Sequence, residues 1–349
     1  MSLIGEARAM MRYIEQAWNR GCRAALLTIA NVQGSSYRQP GAKMMVTSDE
    51  VMHGNLSGGC LEADLREWAK KAIKDGEPLL KGYNLSDTDV WSLGIGCKGS
   101  IEVWITPVNK ENCFWKVYQD GINKNKHVSL IAEIPSGAKL LLDENKNTLI
   151  RDGDVPEELI EHEHNTSLYH KKTNTIVYEG RQFLIDPINL NEELIISGAG
   201  HDAVPVVELA AKVGFDVTVL DPRETFNNMD RFPKASHLVK DPEDTDPTRL
   251  AKKWWVIMNH QQLRDEACLK LAVNSQAQYI GVLGPLKRTR EMLDNINQNF
   301  NDGPIHAPVG HDLAAETIDE VAVSIISELM AVRGKRSGQS LHGKQKIHN

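Results

Sequence analysis

Four glycine-rich segments carry the residues that can do chemistry. The most complete is Gly198-Ala199-Gly200-His201-Asp202-Ala203, a G-x-G-x-x-A turn. Its glycines allow a tight turn and let backbone N–H groups approach a phosphate at a helix start. Asp221 lies 23 residues after Gly198, at the end of the next apolar run, where an acid accepts hydrogen bonds from ribose hydroxyls. The expectation is a pocket for NAD(P) or another dinucleotide. Arg223, Asn259 and His260 also fall at the ends of apolar runs. In an open parallel sheet ligands bind at the carboxyl ends of the strands, so His201, Asp221, Asn259 and His260 are expected to share one crevice. A domain of this fold that binds no nucleotide would carry the same pattern, because fold and ligand are separate claims.

The other three segments are Gly34–Gly41, Ser57-Gly58-Gly59-Cys60 and Gly94–Ser100, which contains Cys97. Ser57–Cys60 runs directly into a helix pattern. Free N–H groups and the dipole at a helix start attract anions and favour a thiolate. Cys60 therefore reads as a thiolate ligand, a sulfur acceptor or a small buried residue. Cys97 reads the same way, and either thiol is a candidate metal ligand. Arg38, in the first of these loops, is placed to meet an anion. The sequence holds no P-loop, HExxH, kinase signature or Ser/His/Asp nucleophile motif.

The elements that must position these residues follow from periodicity. Ile4, Ala7, Met11, Ile14 and Trp18 recur at helical steps, with Gly21 as a stop. Strands are expected at 24–30, 43–47 and 101–106, with a helix over 61–74 and a turn-rich stretch over 31–41. Residues 111–190 give a weaker pattern, with strands at 129–134, 139–142 and 175–178 and an acidic helix over 156–164. From residue 193 the pattern becomes strand 194–197, glycine turn, helix 203–213, strand 216–220, which is a βαβ unit of Rossmann type. Further strands are expected at 254–258 and 279–283. Thr317 and Glu320 form a capping box, starting a last helix whose apolar face is Ile318, Val321, Ile325 and Leu329.

Composition bounds the reading. The 349 residues are 41% hydrophobic and 25% charged, which fits two folded domains and excludes dominant disorder. The net charge of −7 excludes a basic nucleic-acid binder as the character of the whole chain. The five cysteines form no CxxC pair and are odd in number, against a disulfide framework or a structural zinc site. With no signal-peptide pattern and no apolar run long enough to span a bilayer, a cytoplasmic protein without membrane partners is expected.

Six segments then make a resemblance visible. They are Gly34-Ser35-Ser36-Tyr37-Arg38 with Gly41-Ala42-Lys43-Met44, Ser57-Gly58-Gly59-Cys60-Leu61-Glu62, Gly96-Cys97-Lys98-Gly99, Gly198–His201, Leu220-Asp221-Pro222-Arg223 and Ala322–Leu329. In this order they resemble the XdhC/CoxI family of xanthine dehydrogenase accessory proteins. The resemblance implies an α/β chain in two parts. Residues 1–190 form an XdhC/CoxI-type domain, with 111–190 completing it. Residues 191–333 form a Rossmann-type domain with a doubly wound parallel sheet; by composition, 334–349, basic and without periodicity, is expected to be a flexible tail. The resemblance also implies a function: binding molybdenum cofactor (molybdopterin), supporting its sulfuration with a cysteine desulfurase, and delivering it to an apo molybdenum hydroxylase of the xanthine dehydrogenase type. A homodimer is the default assembly. The residues it carries over are Ser35, Arg38, Cys60 and Cys97, then Gly198, Gly200, His201 and Asp221. Gly58, Gly59, Arg223 and His260 complete the candidate cofactor-binding set.

The sequence departs from the family pattern in three places. It has Gly96-Cys97-Lys98-Gly99 for Gly-Cys-Gly-Gly, Asn259-His260-Gln261 for Thr-His-Asp, and Gly310-His311-Asp312-Leu313-Ala314 for Gly-Leu-Asp-Ile-Gly. The competing readings are an NAD(P)-dependent oxidoreductase and a dinucleotide-sensing regulator. The first lacks an evident acid–base pair for hydride chemistry.

Overall fold

The computed structural model describes residues 3–34, 36–84, 99–124, 126–162 and 172–343. They fall into two compact units, Leu3–Leu190 and Asn191–His342.

The first unit is built on two antiparallel sheets. Helix α1 (Leu3–Asn19) precedes β1 (Ala24–Gly34), β2 (Lys43–Thr47) and β3 (Met52–Gly54). Then come α2 (Glu62–Asp75), β4 (Leu79–Asn84) and β5 (Gly99–Val108), and the first sheet has the order β3-β2-β1-β5-β4. Helix α3 (Cys113–Asn123) leads to β6 (Val128–Ile134), β7 (Lys139–Asp143) and β8 (Thr148–Asp152). A short α4 (Glu158–His162), β9 (Asn174–Tyr178) and β10 (Arg181–Ile188) complete a second sheet of order β8-β7-β6-β10-β9.

The helical spacing read in α1 is its buried face: Ile4, Ala7, Met11, Ile14 and Trp18 pack with Leu26 and Trp104 from the first sheet. The same cluster takes in Phe114 and Tyr118 from α3 and Leu130 and Leu184 from the second sheet. Helix α2 covers the opposite face of the first sheet through Leu65, Ala69 and Ile73. It stops at Gly76, whose φ of 76° places it in the left-handed region where glycine is favoured. Strand β1 runs further than its apolar pattern, because Asn31–Gly34 pair with Gly99–Glu102 after a bulge. The turn-rich segment expected from Asn31 therefore begins only after Gly34.

The second unit starts with β11 (Glu193–Ser197), α5 (Ala203–Lys212) and β12 (Asp216–Leu220). It continues through β13 (Ser236–Leu238), β14 (Trp254–Ile257), α6 (Gln262–Asn274) and β15 (Tyr279–Val282) to α7 (Leu286–Asn295), β16 (Ile305–His306) and α8 (Ile318–Arg333). The six strands form one parallel sheet of order β13-β12-β11-β14-β15-β16. That is the doubly wound Rossmann order, with the switch point between β11 and β14. Helices α5 and α8 cover one face and α6 and α7 the other. The Thr317–Glu320 capping box forms as its spacing predicts. The buried face of α8 is Ala322, Ile325, Ile326 and Leu329, whereas Ile318 is exposed. An apolar residue in the first turn lies beyond the edge of the layer it was expected to cover.

Candidate functional site

The crevice of the second unit opens at the switch point. Gly198 follows β11 with a φ of 110°, and a Cβ there would lie 2.7 Å from the Met258 carbonyl and 3.0 Å from the Asn259 Cα. Only glycine lets the ends of β11 and β14 come this close. Gly198→Ala is expected to cost the second unit about 2–3 kcal/mol, by strain at positive φ plus the collision with β14. Urea denaturation followed by Trp fluorescence measures it. A cost below about 0.5 kcal/mol would mean that the strand ends separate without resistance.

Asp221 is fully buried at the end of β12. Its Oδ2 accepts from the Ala199 N–H at 2.9 Å and from Arg223 Nη2 at 2.6 Å. Its Oδ1 accepts from the Arg223 N–H and Nε, both at 2.9 Å. Burial alone would raise its carboxyl, but the Arg223 guanidinium and the two backbone donors hold it below the usual carboxylate range. The acid expected to meet a ribose thus clamps the glycine turn and its own neighbouring arginine. Arg231, in the loop after β12, donates to the carbonyls of Ala199, Gly200 and Phe226. Nothing in the sequence signalled this residue, which lies 31 positions after Gly200.

His260 and Asp202 meet across the crevice, with Nε2 and Oδ2 2.6 Å apart. His260 is exposed and has a φ of 59°. Asp202 folds back so closely that a Cβ on Gly200 would collide with its carboxylate. His201 is exposed, and its carbonyl accepts from the Val204 N–H. Asn259 donates to Ser197 and Asp265, while its own Oδ1 is buried without a donor among the described residues. Cys268, also beneath the crevice, has its thiol pushed up to about 12 by burial and is not a reactive thiol. The turn thus brings Gly198 against Met258 and Asn259, Asp221 against Ala199 and Arg223, and Asp202 against Gly200 and His260.

In the first unit the Ser57–Leu61 turn encloses a carboxylate of its own chain. Glu62 accepts from the backbone N–H groups of Leu56 (2.9 Å), Ser57 (2.8 Å) and Gly59 (2.9 Å), and from the Ser57 hydroxyl (2.5 Å). Its Oε2 also takes the Leu61 N–H at 3.2 Å. Burial would raise this carboxyl, but the Ser57 hydroxyl and the Ser57 and Leu56 amides hold it below its usual range. Of the donors expected to cradle an external anion, Glu62 occupies the amides of Leu56, Ser57 and Gly59. A phosphate would have to displace it. Cys60, half-buried at the end of this turn, packs beside the core under α2. Gly58 and Gly59, both at positive φ, leave the turn's outer edge exposed, and the Tyr37 ring lies over Gly58.

Arg38 is likewise engaged within the fold. Its Nη2 lies 2.5 Å from Glu6 of α1, and Nη1 donates to the side chain (3.1 Å) and carbonyl (3.3 Å) of Asn55. Glu6 also accepts from the Lys43 N–H. The arginine read as an anion contact ties its loop to α1 and to the residue two places before Ser57. Ser35 and Cys97 lie outside the described residues. Among the described residues no group of three or more His, Cys, Asp or Glu is placed to hold a metal ion, and no helix is long and apolar enough to cross a membrane.

The comparisons with known proteins agree with this two-part architecture. Residues 17–84 match the XdhC and CoxI family, and residues 194–329 match the XdhC Rossmann domain. A protein of Bacillus subtilis (strain 168) named as a probable xanthine dehydrogenase subunit is 29% identical over 324 residues, covering 89% of this chain and 93% of that protein. The molybdenum cofactor insertion chaperone PaoD of Escherichia coli (strain K12) is 22% identical over 336 residues, or 95% of this chain and 90% of PaoD. A crystal structure described as a xanthine dehydrogenase from Bacillus halodurans superposes with a TM-score of 0.79 at 27% identity, covering 95% of this chain and 97% of that one. With the glycine turns, the switch-point crevice and both domain matches in sequence order, the chain belongs to the XdhC/CoxI family.

Proposed function

We propose that this protein is an accessory factor for a molybdenum hydroxylase of the xanthine dehydrogenase type. It binds molybdenum cofactor as cargo, supports its sulfuration with a cysteine desulfurase, and hands it to the apo-enzyme. The observation that carries this reading is a thiol set in a hydrogen-bonded, outward-facing glycine turn, in a chain whose full-length relatives include a protein named as a molybdenum cofactor insertion chaperone. A thiolate is the soft donor that molybdenum or a transferred sulfur prefers. In this reading Cys60 is the contact and Gly59 keeps the approach open, with the Tyr37 ring over Gly58 beside it. Arg38, Glu6 and Glu62 position the turn. A cofactor phosphate here takes donors other than the amides of Leu56, Ser57 and Gly59, which Glu62 holds. Ser35 and Cys97 belong to the proposed set through the family motifs alone.

The second unit is read as the nucleotide-binding part, for the dinucleotide form of the cofactor or for NAD(P). The protein works as a cytoplasmic homodimer and turns nothing over alone.

Cys60→Ser tests the reading. Serine keeps the size but offers a harder donor that stays protonated near neutral pH. The variant is expected to fold normally and to retain at least about tenfold less cofactor per protomer after gel filtration, with a matching loss of client activation. Cys22→Ser, outside any glycine turn, is expected to keep both. Equal retention and activation by Cys60→Ser and the wild type would overturn the role of Cys60. Sustained NAD(P)H turnover with a small substrate, abolished by Gly200→Val, would favour an oxidoreductase instead.

A further inference from the structure

We infer that the crevice at the Gly198–Gly200 turn takes nucleotides that carry a phosphate on the ribose in preference to those with free ribose hydroxyls. The inference rests on the nucleotide-binding reading of the second unit and names the ligand class.

A carboxylate has about four lone-pair positions for hydrogen bonds. Asp221 has two donors on each oxygen, all within the chain, and no exposed surface. It has no acceptor left for a ribose hydroxyl. Arg223 reaches solvent at this end of β12 with a side chain 43% exposed, next to the exposed Glu224. Nε and Nη2 are held by Asp221, so the guanidinium is fixed in direction, while Nη1 has no acceptor among the described residues. Its plane is further set by the Phe226 ring, 4.6 Å from the guanidinium carbon.

Arg231 packs 5.0 Å from the centre of the same ring and anchors the loop to the Ala199 and Gly200 carbonyls. The strand-end acid that would select a free ribose is thus internally neutralised. A preorganised guanidinium stands beside it, the geometry suited to a phosphate.

The test is calorimetric titration of the full chain with 2′,5′-ADP and 5′-ADP, then with NADP and NAD, at two salt concentrations. The 2′-phosphorylated member of each pair is expected to bind at least about tenfold more tightly, with the ratio shrinking as salt rises. Arg223→Ala is expected to bring the ratio close to one. The wild-type ratio stands as a test even if that variant fails to fold. Equal affinities within each pair would overturn the inference and leave the nucleotide reading in place. No saturable binding by any of the four would remove both. A preference that survives Arg223→Ala would make Arg223 only a structural clamp for Asp221 and overturn the assignment.

Discussion

Asp186→Ala is expected to destabilise the first unit by about 3–5 kcal/mol, the range for breaking one partner out of a buried ion pair. Asp186 on β10 and Lys43 on β2 have side chains only 2% exposed, with Nζ and Oδ2 2.5 Å apart. Lys43 also donates to the Gly41 carbonyl, and Thr173 donates to the other carboxylate oxygen at 2.6 Å. Removing the acid leaves a buried ammonium with one carbonyl partner. The effect reaches the candidate site, because Lys43 closes the loop that carries Arg38 and its backbone N–H binds Glu6.

Chemical denaturation followed through the first unit's buried tryptophans, Trp104 and Trp115, reads the loss. A double replacement, Lys43→Met with Asp186→Leu, is expected to recover most of it, since an apolar pair of similar volume incurs no cost for burying charge. A loss below about 1 kcal/mol for Asp186→Ala would mean that water or a rearranged partner reaches Lys43.

Much of the second unit was legible because each of its signals is local. Alternation of buried strands with amphipathic helices, a G-x-G-x-x-A turn and a capping box are short-range patterns, and the structure builds a parallel sheet from them. The second antiparallel sheet was harder to read. β10 contains Asp186 and Pro187, residues that argue against a central strand. Asp186 is tolerated only because Lys43 meets it from a strand 143 positions earlier. β8 lies at a sheet edge, with Thr148 and Leu149 exposed, and so lacks the apolar alternation that marks a strand.

The site divides in the same way. The glycines of both turns could be found, because positive φ at Gly58, Gly59 and Gly198 requires them. What the turns hold could not be read. An acid in the first turn of a helix is ordinary, and nothing in the spacing tells that Glu62 folds back over the residues before it or that Asp202 folds over Gly200. Arg38 and Asp221 carried the right charge for ligand contacts. Their internal partners, Glu6 and Arg223, appear only once α1 and the loop after β12 are folded.

Glu62→Ala is expected to cost about 3 kcal/mol and to lower cofactor retention together with Cys60→Ser, for one physical reason. The carboxylate satisfies the amides of Leu56, Ser57, Gly59 and Leu61 and the Ser57 hydroxyl at a mostly buried position. Hydrogen bonds to a charged acceptor contribute about 1.5–3 kcal/mol each, and neighbours that share one acceptor do not add. Without the acid, the amides of Leu56, Ser57 and Gly59 lose their acceptor, the Leu61 N–H bond to Ser57 Oγ at 2.8 Å remains, and the turn that presents Cys60 loosens.

Glu62→Gln keeps one acceptor oxygen but sets an amide N–H₂ among N–H donors, so it is expected to cost about half as much. The sign of the pH dependence follows from the lowered carboxyl of Glu62. Its stabilisation is fully present above the unfolded carboxylate range, about pH 4–5, and is lost as pH falls through the lower folded value. Wild type should therefore lose more stability on acidification below about pH 5 than Glu62→Gln does. Unfolding of both proteins by urea at a series of pH values from neutral to acid measures the difference. Parallel acid profiles, or a Glu62→Ala variant that unfolds like wild type while retaining cofactor, would show that the turn stands without its carboxylate.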